Sequence, residues 1–404
     1  MRGNAGAGAP VSGHLRIAHL TATFPPYPGG AGNTAYRFAV GQAERGHHVE
    51  VFTADAEGKP PDPAGAIIHR AEPAFAIGNA PLIPRLARLR GFDLLHIHYP
   101  FIFGAELLLA SRLGRGGREA AVLVHYKNQL IGEGGRRPLF AAYERLTPPI
   151  LVRHADRVCV LSADHAESVP YLRSLRRRRP ERVVEMPNGV DAAAFSPGPD
   201  ASGLRASLGI GEDAVVAAFV ATLDRAHHFK RLDIAIEALS VSGDERLHLL
   251  VAGEGELRRQ FEAQAAAAGL ERRVHFLGGV PHAELPGVLR AADLFLLTTE
   301  PPESFGIVLI EAMACALPVI ASEYPGVGAV VDDGVNGLLV QRGDAGAVAA
   351  ALDRLASAGP EERRRLGANG RAKCERLWSW PRLLDRMDDA YHGAIETRRA
   401  RSRR

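Results

Sequence analysis

The sequence predicts an α/β protein built as two tandem domains, each an open parallel sheet flanked by helices. Three observations predict it. The chain has 404 residues, too many for one ordinary core, since domains usually hold roughly 100 to 200 residues. Short β-branched runs alternate with longer stretches rich in Ala, Leu and Arg, which is the rhythm of right-handed βαβ units. That rhythm stops once, at residues 187–200, where Pro187, Asn188, Gly189, Pro197, Gly198 and Pro199 gather as turn formers, and then resumes.

In the first series, strands are predicted at residues 15–20, 49–53, 94–98, 121–126 and 158–162. The second series has them at 215–222, 248–252, 274–277, 294–298, 318–322 and 337–340. The resulting division is a tail over residues 1–13, a first domain over 14–190 and a second over 191–376. A final helix covers 377–396, with its helical core at 383–395, and a basic tail covers 397–404. Two open α/β sheets in tandem are expected to face a ligand cleft with the carboxyl ends of their strands.

Composition excludes several classes of function. Apolar residues make up 46% and charged residues 24%, so a packed globular chain is expected rather than a disordered or fibrous one. The net charge of +3 gives no basic face interleaved with aromatics, and a nucleic-acid binder is not expected. The run Arg176 to Arg179 is predicted as a solvated loop, with an anionic membrane or a phosphorylated partner as the lesser reading. Lysine occurs four times among 49 basic residues, a bias toward arginine that suits a GC-rich bacterial coding sequence.

Cys159, Cys315 and Cys374 are too few and too dispersed for a disulfide framework or a zinc pattern, which favours a reducing, cytoplasmic setting. Neither a signal core nor a run of roughly 18 apolar residues is present. No amphipathic membrane helix stands out, so membrane contact is expected to be peripheral at most.

The strongest chemical signal is Glu303-Ser-Phe-Gly-Ile-Val-Leu-Ile-Glu311, between a predicted strand and an apolar helix. A helix that starts near Phe305 or Gly306 leaves its first amides unpaired, and its dipole favours phosphate there. Gly306 lets a phosphate approach the backbone beside Ser304 and Phe305, with Ile307 and Val308 supplying amides. Glu303 then lies near whatever the phosphate carries. Glu311, about a turn and a half inside, is placed to accept two hydrogen bonds from a ribose diol. Taken singly, each carboxylate reads as a solvated helix-end residue. Bracketing Ser-Phe-Gly, they read as a site.

Together with Ala312-Met-Ala-Cys-Ala-Leu-Pro-Val319, this segment resembles the signature of the family-4 retaining glycosyltransferases, also called glycosyl transferases group 1. The resemblance extends from Pro28-Gly-Gly30 to Trp378-Ser-Trp380, through Pro187-Asn-Gly-Val-Asp191, Phe195, Pro197 and Ala252-Gly-Glu-Gly255. It implies the GT-B fold: two Rossmann-like domains with parallel sheets facing an interdomain cleft. The first binds the acceptor, the second binds the nucleotide sugar, and the last helix crosses back to the first. It also implies transfer of a sugar with retention, from a nucleotide-diphosphate donor to an acceptor hydroxyl, with the leaving phosphate accepting the acceptor proton.

In Asp224-Arg-Ala-His-His-Phe-Lys230, Arg225 and Lys230 are spaced to converge on two adjacent phosphates. The resemblance gives this pair the donor diphosphate. Asp224 and Arg231 stand where the family has glycines, which predicts a differently shaped loop. The loop Pro28-Gly-Gly-Ala-Gly-Asn-Thr34 lies too far from its strand for the tight dinucleotide turn, but by resemblance Gly30 reaches toward the donor phosphate.

His96 and His98 share one strand face, as do His125 and Lys127 on the next. A metal site is not expected, because neither His-Glu-x-x-His nor cysteine support is present. Buried, hydrogen-bonded histidine is the leading reading for His96 and His98. The family often places a functional histidine at the end of this second strand; aligned on Leu130 and Ile131, that position holds Lys127. Either His125 takes the role or Lys127 contacts an anionic acceptor or the leaving phosphate, and involvement of both is the working expectation. The aromatics Trp378 and Trp380 are expected to be packing anchors.

Asp-x-Asp does not occur in the chain, so charge neutralisation without metal is expected from Arg225, Lys230 and the helix N-terminus. No cofactor is implied beyond a UDP- or GDP-type sugar as co-substrate. Segment 131–138 is expected to set the acceptor, for which a small cyclitol, a natural-product core or an envelope glycan is plausible. The competing readings are an epimerase or a phosphorylase on the same architecture and a non-catalytic nucleotide-sugar-binding subunit.

Overall fold

A computed structural model describes residues 13–26, 30–54, 65–77, 80–107, 120–130 and 137–403. Residues 1–12 of the expected tail, Pro28 with Gly29, and positions 131–136 of the expected acceptor loop lie outside them. The strands, in chain order, are β1 Arg16–Leu20, β2 His48–Ala54, β3 Ala66–Ala71, β4 Phe75–Ile77, β5 Ala80–Leu82, β6 Leu94–Tyr99, β7 Ala121–Tyr126, β8 Arg157–Val160 and β9 Val183–Glu185. They continue as β10 Val215–Val220, β11 Leu247–Ala252, β12 Val274–Gly278, β13 Leu294–Leu297, β14 Val319–Ser322 and β15 Gly337–Val340. The main helices are α1 Gly30–Glu44, α2 Arg137–His154, α3 Ala163–Ser168, α4 Pro170–Arg178, α5 Leu232–Val241, α6 Arg258–Ala267, α7 Leu285–Arg290, α8 Ile307–Ala314, α9 Ala345–Ser357, α10 Gly359–Leu377 and α11 Trp380–Ser402.

The chain forms two compact units. The first takes residues up to Val160, Tyr171–Met186 and Leu384 onward; the second takes Leu161–Pro170 and Pro187–Leu383. The first unit holds a seven-stranded sheet in the order β3-β2-β1-β6-β7-β8-β9, with every pairing parallel. Every residue of β6 and β7 is buried, which is why they read as continuous apolar runs rather than alternating ones. The edge strands β3 and β9 escape sequence detection for the opposite reason. β3 is half exposed, with Ile67 at 48%, and β9 has three residues.

Two expectations for the first unit are corrected. The Arg176 run closes α4 instead of forming a loop: Leu172 and Leu175, three residues apart, are buried, and the arginines extend from the helix's last turn. Residues 397–402 are helical rather than a tail, because α11 runs on past residue 395 to Ser402 through strong helix formers such as Ala400 and Arg401. Arg401 Nη1 anchors the end by donating to the buried Asp156 carboxylate at 2.9 Å. Leu384 of α11 packs where a Cβ on Gly41 would stand, and Arg45 pairs with Asp385 and Asp388 at 2.7 Å each.

The second unit holds a six-stranded parallel sheet, β12-β11-β10-β13-β14-β15. One face carries α5, α6 and α9 over Phe219, Leu249, Val251, Leu296 and Ile320. The other carries α7 and α8 over Val216, Leu250, Phe295 and Val319, closed by Trp378. Loops leaving the carboxyl ends of β10, β11 and β13 hold the segments singled out in the sequence, at the edge where open α/β sheets bind ligands.

Candidate functional site

In the second unit, the segment after β10 is a short 3₁₀ helix, Arg225–Lys230. Asp224 caps it, its carboxylate accepting from His227 N at 2.8 Å and pairing with His227 Nδ1 at 2.7 Å. Arg231, the other replacement for a glycine, has φ 54° and ψ 50°. Arg231 thus holds a left-handed backbone without being a glycine, and its guanidinium is held by Asp233 and Glu300. Gly255 supports this turn from beside it: with φ 158°, its Cβ would lie 2.3 Å from the Leu223 carbonyl.

The loop after β13 is stitched to that 3₁₀ helix. Thr298 Oγ1 donates to the Arg231 carbonyl at 2.7 Å, Thr299 Oγ1 to the Phe229 carbonyl at 3.1 Å, and Glu300 N to the same carbonyl at 2.7 Å. These bonds bring Lys230 to Glu303. Lys230 Nζ pairs with Glu303 Oε2, the two side chains being only 15% and 13% exposed. Glu303 Oε1 accepts from Gly306 N at 3.0 Å and Ser304 N at 3.2 Å, with Phe305 N at 3.5 Å. Burial pushes the Glu303 carboxyl up, but Lys230 and these amides outweigh it and hold it below its ordinary value of 4.5.

Gly306 caps α8 with φ 79°, and a Cβ there would meet Leu309 Cδ1 at 2.9 Å. Ile307 and Val308 begin α8 half exposed, so the amides that open the helix are not sealed in the core. Glu311, 7% exposed, receives His282 Nε2 on Oε1 at 2.7 Å. Arg225 points elsewhere than expected: its side chain is 78% exposed and pairs with Glu256 at 3.3 Å. Arg225 and Lys230 thus each engage a separate carboxylate.

In the first unit, Gly30 is the exposed first residue of α1, its carbonyl accepting from Thr34 Oγ1 at 2.8 Å. The neighbouring Ala31 carbonyl accepts from Lys127 Nζ at 2.8 Å. Lys127 is 5% exposed, and burial lowers its pKa from 10.5 to about 7. His125 lies deeper, fully buried, with Nε2 3.2 Å from the Met186 carbonyl and Nδ1 without a partner. Desolvation, then the Lys127 charge, lowers its pKa to about 3.

His125 belongs to a neutral imidazole cluster with His19, His96 and His98. His19 Nδ1 lies 3.0 Å from His98 Nε2, and His96 Nδ1 lies 2.8 Å from the Tyr391 hydroxyl. His19, His96 and His98 place one ring nitrogen each within 4.8 Å of one another, a spacing that a metal ion could span. Desolvation depresses all three, His19 to about 3.

Comparison with known proteins assigns both halves of the chain. Residues 28–194 match the model described as Glycosyltransferase Family 4, and residues 202–373 match Glycosyl transferases group 1. The D-inositol 3-phosphate glycosyltransferase of Geodermatophilus obscurus is 31% identical over 90% of this chain and 84% of its own length. The chain belongs to glycosyltransferase family 4. A Mycobacterium tuberculosis relative of the same name is also 31% identical, over 75% of this glycosyltransferase, which spans 62% of that protein. Among solved structures, an Anabaena protein in complex with UDP is similar at TM-score 0.72 and 22% identity, covering 93% of this chain and 99% of its own. Sucrose-phosphate synthase from Thermosynechococcus elongatus is similar at TM-score 0.77 and 24% identity, covering 94% and 98%. The fold is GT-B.

Three participants were not legible as site residues in this glycosyltransferase's sequence. His282 and Glu256 lie on loops after β12 and β11, with no spacing pattern linking them to Glu311 or Arg225. His19 had a usable signal: β1 pairs with β6 in a register that sets His19 against His96.

Proposed function

We propose that this family-4 enzyme is a retaining, metal-independent transferase that moves a sugar from a UDP-type donor to the hydroxyl of a small cyclitol-like acceptor. The observation that carries the reading is the Glu303 carboxylate, held ionised by Lys230 and by the backbone ahead of α8. A fixed, partly desolvated carboxylate beside a helix N-terminus suits a site that grips a sugar attached to a diphosphate.

The amides of Ile307 and Val308 hold the diphosphate, with Gly306 admitting it to the backbone and Ser304 and Phe305 forming the approach. Glu311 takes the ribose diol. Lys230 and Arg225 balance the charge that develops on the leaving phosphate, Arg225 by leaving its exposed partner Glu256. Gly30, on the opening turn of α1, faces donor phosphate in this reading. Lys127 takes the role the family commonly gives to histidine, since its amine is neutral or charged near pH 7. His125, two residues earlier on β7, is the second candidate for that role. The cyclitol class is favoured by the relatives named as D-inositol 3-phosphate glycosyltransferases, and the UDP-type donor by the Anabaena complexes with UDP and UDP-glucose.

The test is a thermal-unfolding screen of UDP-, GDP- and dTDP-sugars, followed by transfer assays with the stabilising donor and a cyclitol panel. Stabilisation by a UDP-sugar followed by α-configured product from an α-donor, in the presence of chelator, is expected. Inverted product, or donor conversion without any acceptor, overturns it.

A further inference from the structure

We propose that the outward face of α2, with the arginine-covered α4 beside it, docks this protein peripherally on an anionic lipid surface. The face of α2 turned to the unit's interior contains Glu144, whose carboxylate accepts from the hydroxyls of Tyr99, Tyr126 and Tyr171 at 2.8, 3.1 and 2.6 Å. Pro148, Leu151 and Val152 are buried on that side. The usual polarity of a surface helix is thus broken in two ways, by a carboxylate turned inward and by aliphatic side chains left outward. Leu146 and Ile150, one turn apart, stand 65% and 51% exposed, with the exposed Ala142 on the same stripe and Arg145 and Arg153 also exposed. The acidic residue of α2 is turned inward.

The basic charge continues into α4. Arg182 donates to the carbonyls of Val152 and Arg153 at 3.0 Å each, tying the end of α2 to the turn that follows α4. Residues 170–182 carry six arginines against Glu181 alone, and α4 buries Leu172 and Leu175 while Arg173, Arg177 and Arg178 are exposed. Exposed aliphatic side chains flanked by arginines are the composition of an interfacial helix. The aliphatic groups enter the headgroup boundary while the cations meet anionic headgroups.

Other occupants fit less well. A second copy across a twofold axis would set this patch against itself, arginine against arginine. A nucleic acid would leave Leu146 and Ile150 without an apolar partner. No described helix is long and apolar enough to cross a membrane, so the contact lies in the interface plane.

The experiment is co-sedimentation of the full chain with phosphatidylcholine vesicles, with and without phosphatidylglycerol. Binding is expected only with phosphatidylglycerol and is expected to fall with added salt. The double variant Leu146→Glu/Ile150→Glu should weaken partitioning about tenfold or more, because it removes the exposed apolar groups that enter the lipid boundary and adds charge repulsion. Arg145→Ser/Arg153→Ser should weaken it without altering the apolar stripe. Unchanged circular dichroism and unfolding midpoint show that each variant is folded. Absence of binding, equal binding to both vesicles, or unchanged binding by the folded Leu146/Ile150 variant overturns the proposal. So does a wild-type dimer in sedimentation velocity that the same variant converts to monomer, since a second copy would then cover the face.

Discussion

Lys230 and Glu303, 73 residues apart in sequence, form a nearly buried ion pair that leaves the carboxylate's other oxygen to the amides of Ser304 and Gly306. Both oxygens of Glu303 are therefore committed, and its charge is held just ahead of α8, where we propose that the transferred sugar sits. Glu303→Gln retains the shape and the amide contacts but loses the charge. Transfer should fall by about 10²–10³ or more while nucleotide affinity changes little, the pattern of an interaction made mainly in the transition state. Steady-state rates beside nucleotide titrations measure this, and normal turnover in the variant removes Glu303 from the mechanism.

The same pair makes a pH prediction. Because the folded pKa of Glu303 is depressed below 4.5, its stabilising contribution is complete above that value and is lost as pH falls through the folded pKa. Lys230→Met leaves the carboxylate unpaired among its amides and should destabilise by about 1–3 kcal/mol near pH 7. The penalty should shrink at acid pH, below the ordinary 4.5, as Glu303 takes up its proton. Urea unfolding at both pH values tests it; a penalty that does not vary with pH argues that the ion pair is not its source.

Lys127 gives a slope of the same sign in a higher pH window. Its folded pKa of about 7 lies below the ordinary 10.5, so the folded state resists protonation. The resulting destabilisation is complete below pH 7 and fades as pH rises toward 10.5. Lys127→Met should raise the unfolding midpoint at pH 6 and lose that advantage by pH 10. If Lys127 handles the reacting groups, the same substitution lowers transfer by about 10²–10⁴. A variant that is more stable at pH 6 yet fully active would leave Lys127 as a buried structural amine.

The fold was readable because buried parallel strands leave long apolar runs and the 187–200 segment interrupts them. The segment from Glu303 to Glu311 was readable as a candidate site because two carboxylates at fixed spacing bracket Gly306 just ahead of an apolar helix, and Gly306 does take a left-handed backbone there. Arg231 shows a limit: its backbone is left-handed, yet an arginine at that position does not report such a conformation in the sequence. Pairings such as Lys230 with Glu303 or His282 with Glu311 depend on how separate loops return to one sheet edge. No local period encodes that. The helical nature of the Arg176 run was hidden for another reason, since only Leu172 and Leu175 mark its inward face.

The imidazole cluster should make the first unit acid-sensitive. His19 and His125 have folded pKa values of about 3 against the ordinary 6.5, with His96 and His98 also depressed. Between those limits the unfolded chain binds more protons, so stability present above pH 6.5 is lost as pH falls. His125→Met removes one of these sites, and the pH dependence of unfolding free energy between 6 and 4 should flatten by up to about 1.4 kcal/mol per pH unit. An unaltered slope would mean that His125 is already protonated in the folded protein.

Glu311 and His282 separate binding from chemistry. The His282 ring meets a carboxylate that is otherwise 93% removed from solvent, its side chain being 7% exposed, and fixes the direction of Oε1. If Glu311 holds the donor ribose, the interaction is the same in ground and transition states, so its loss should raise KM and leave kcat nearly unchanged. Glu311→Gln should weaken nucleotide binding about tenfold, because hydrogen bonds to a charged acceptor contribute roughly 1.5–3 kcal/mol. His282→Ala should do so more mildly, through a less constrained Glu311. Calorimetric titration with UDP beside steady-state kinetics distinguishes the outcomes. A fall in kcat with unchanged UDP affinity would move Glu311 from ribose binding to the reacting centre.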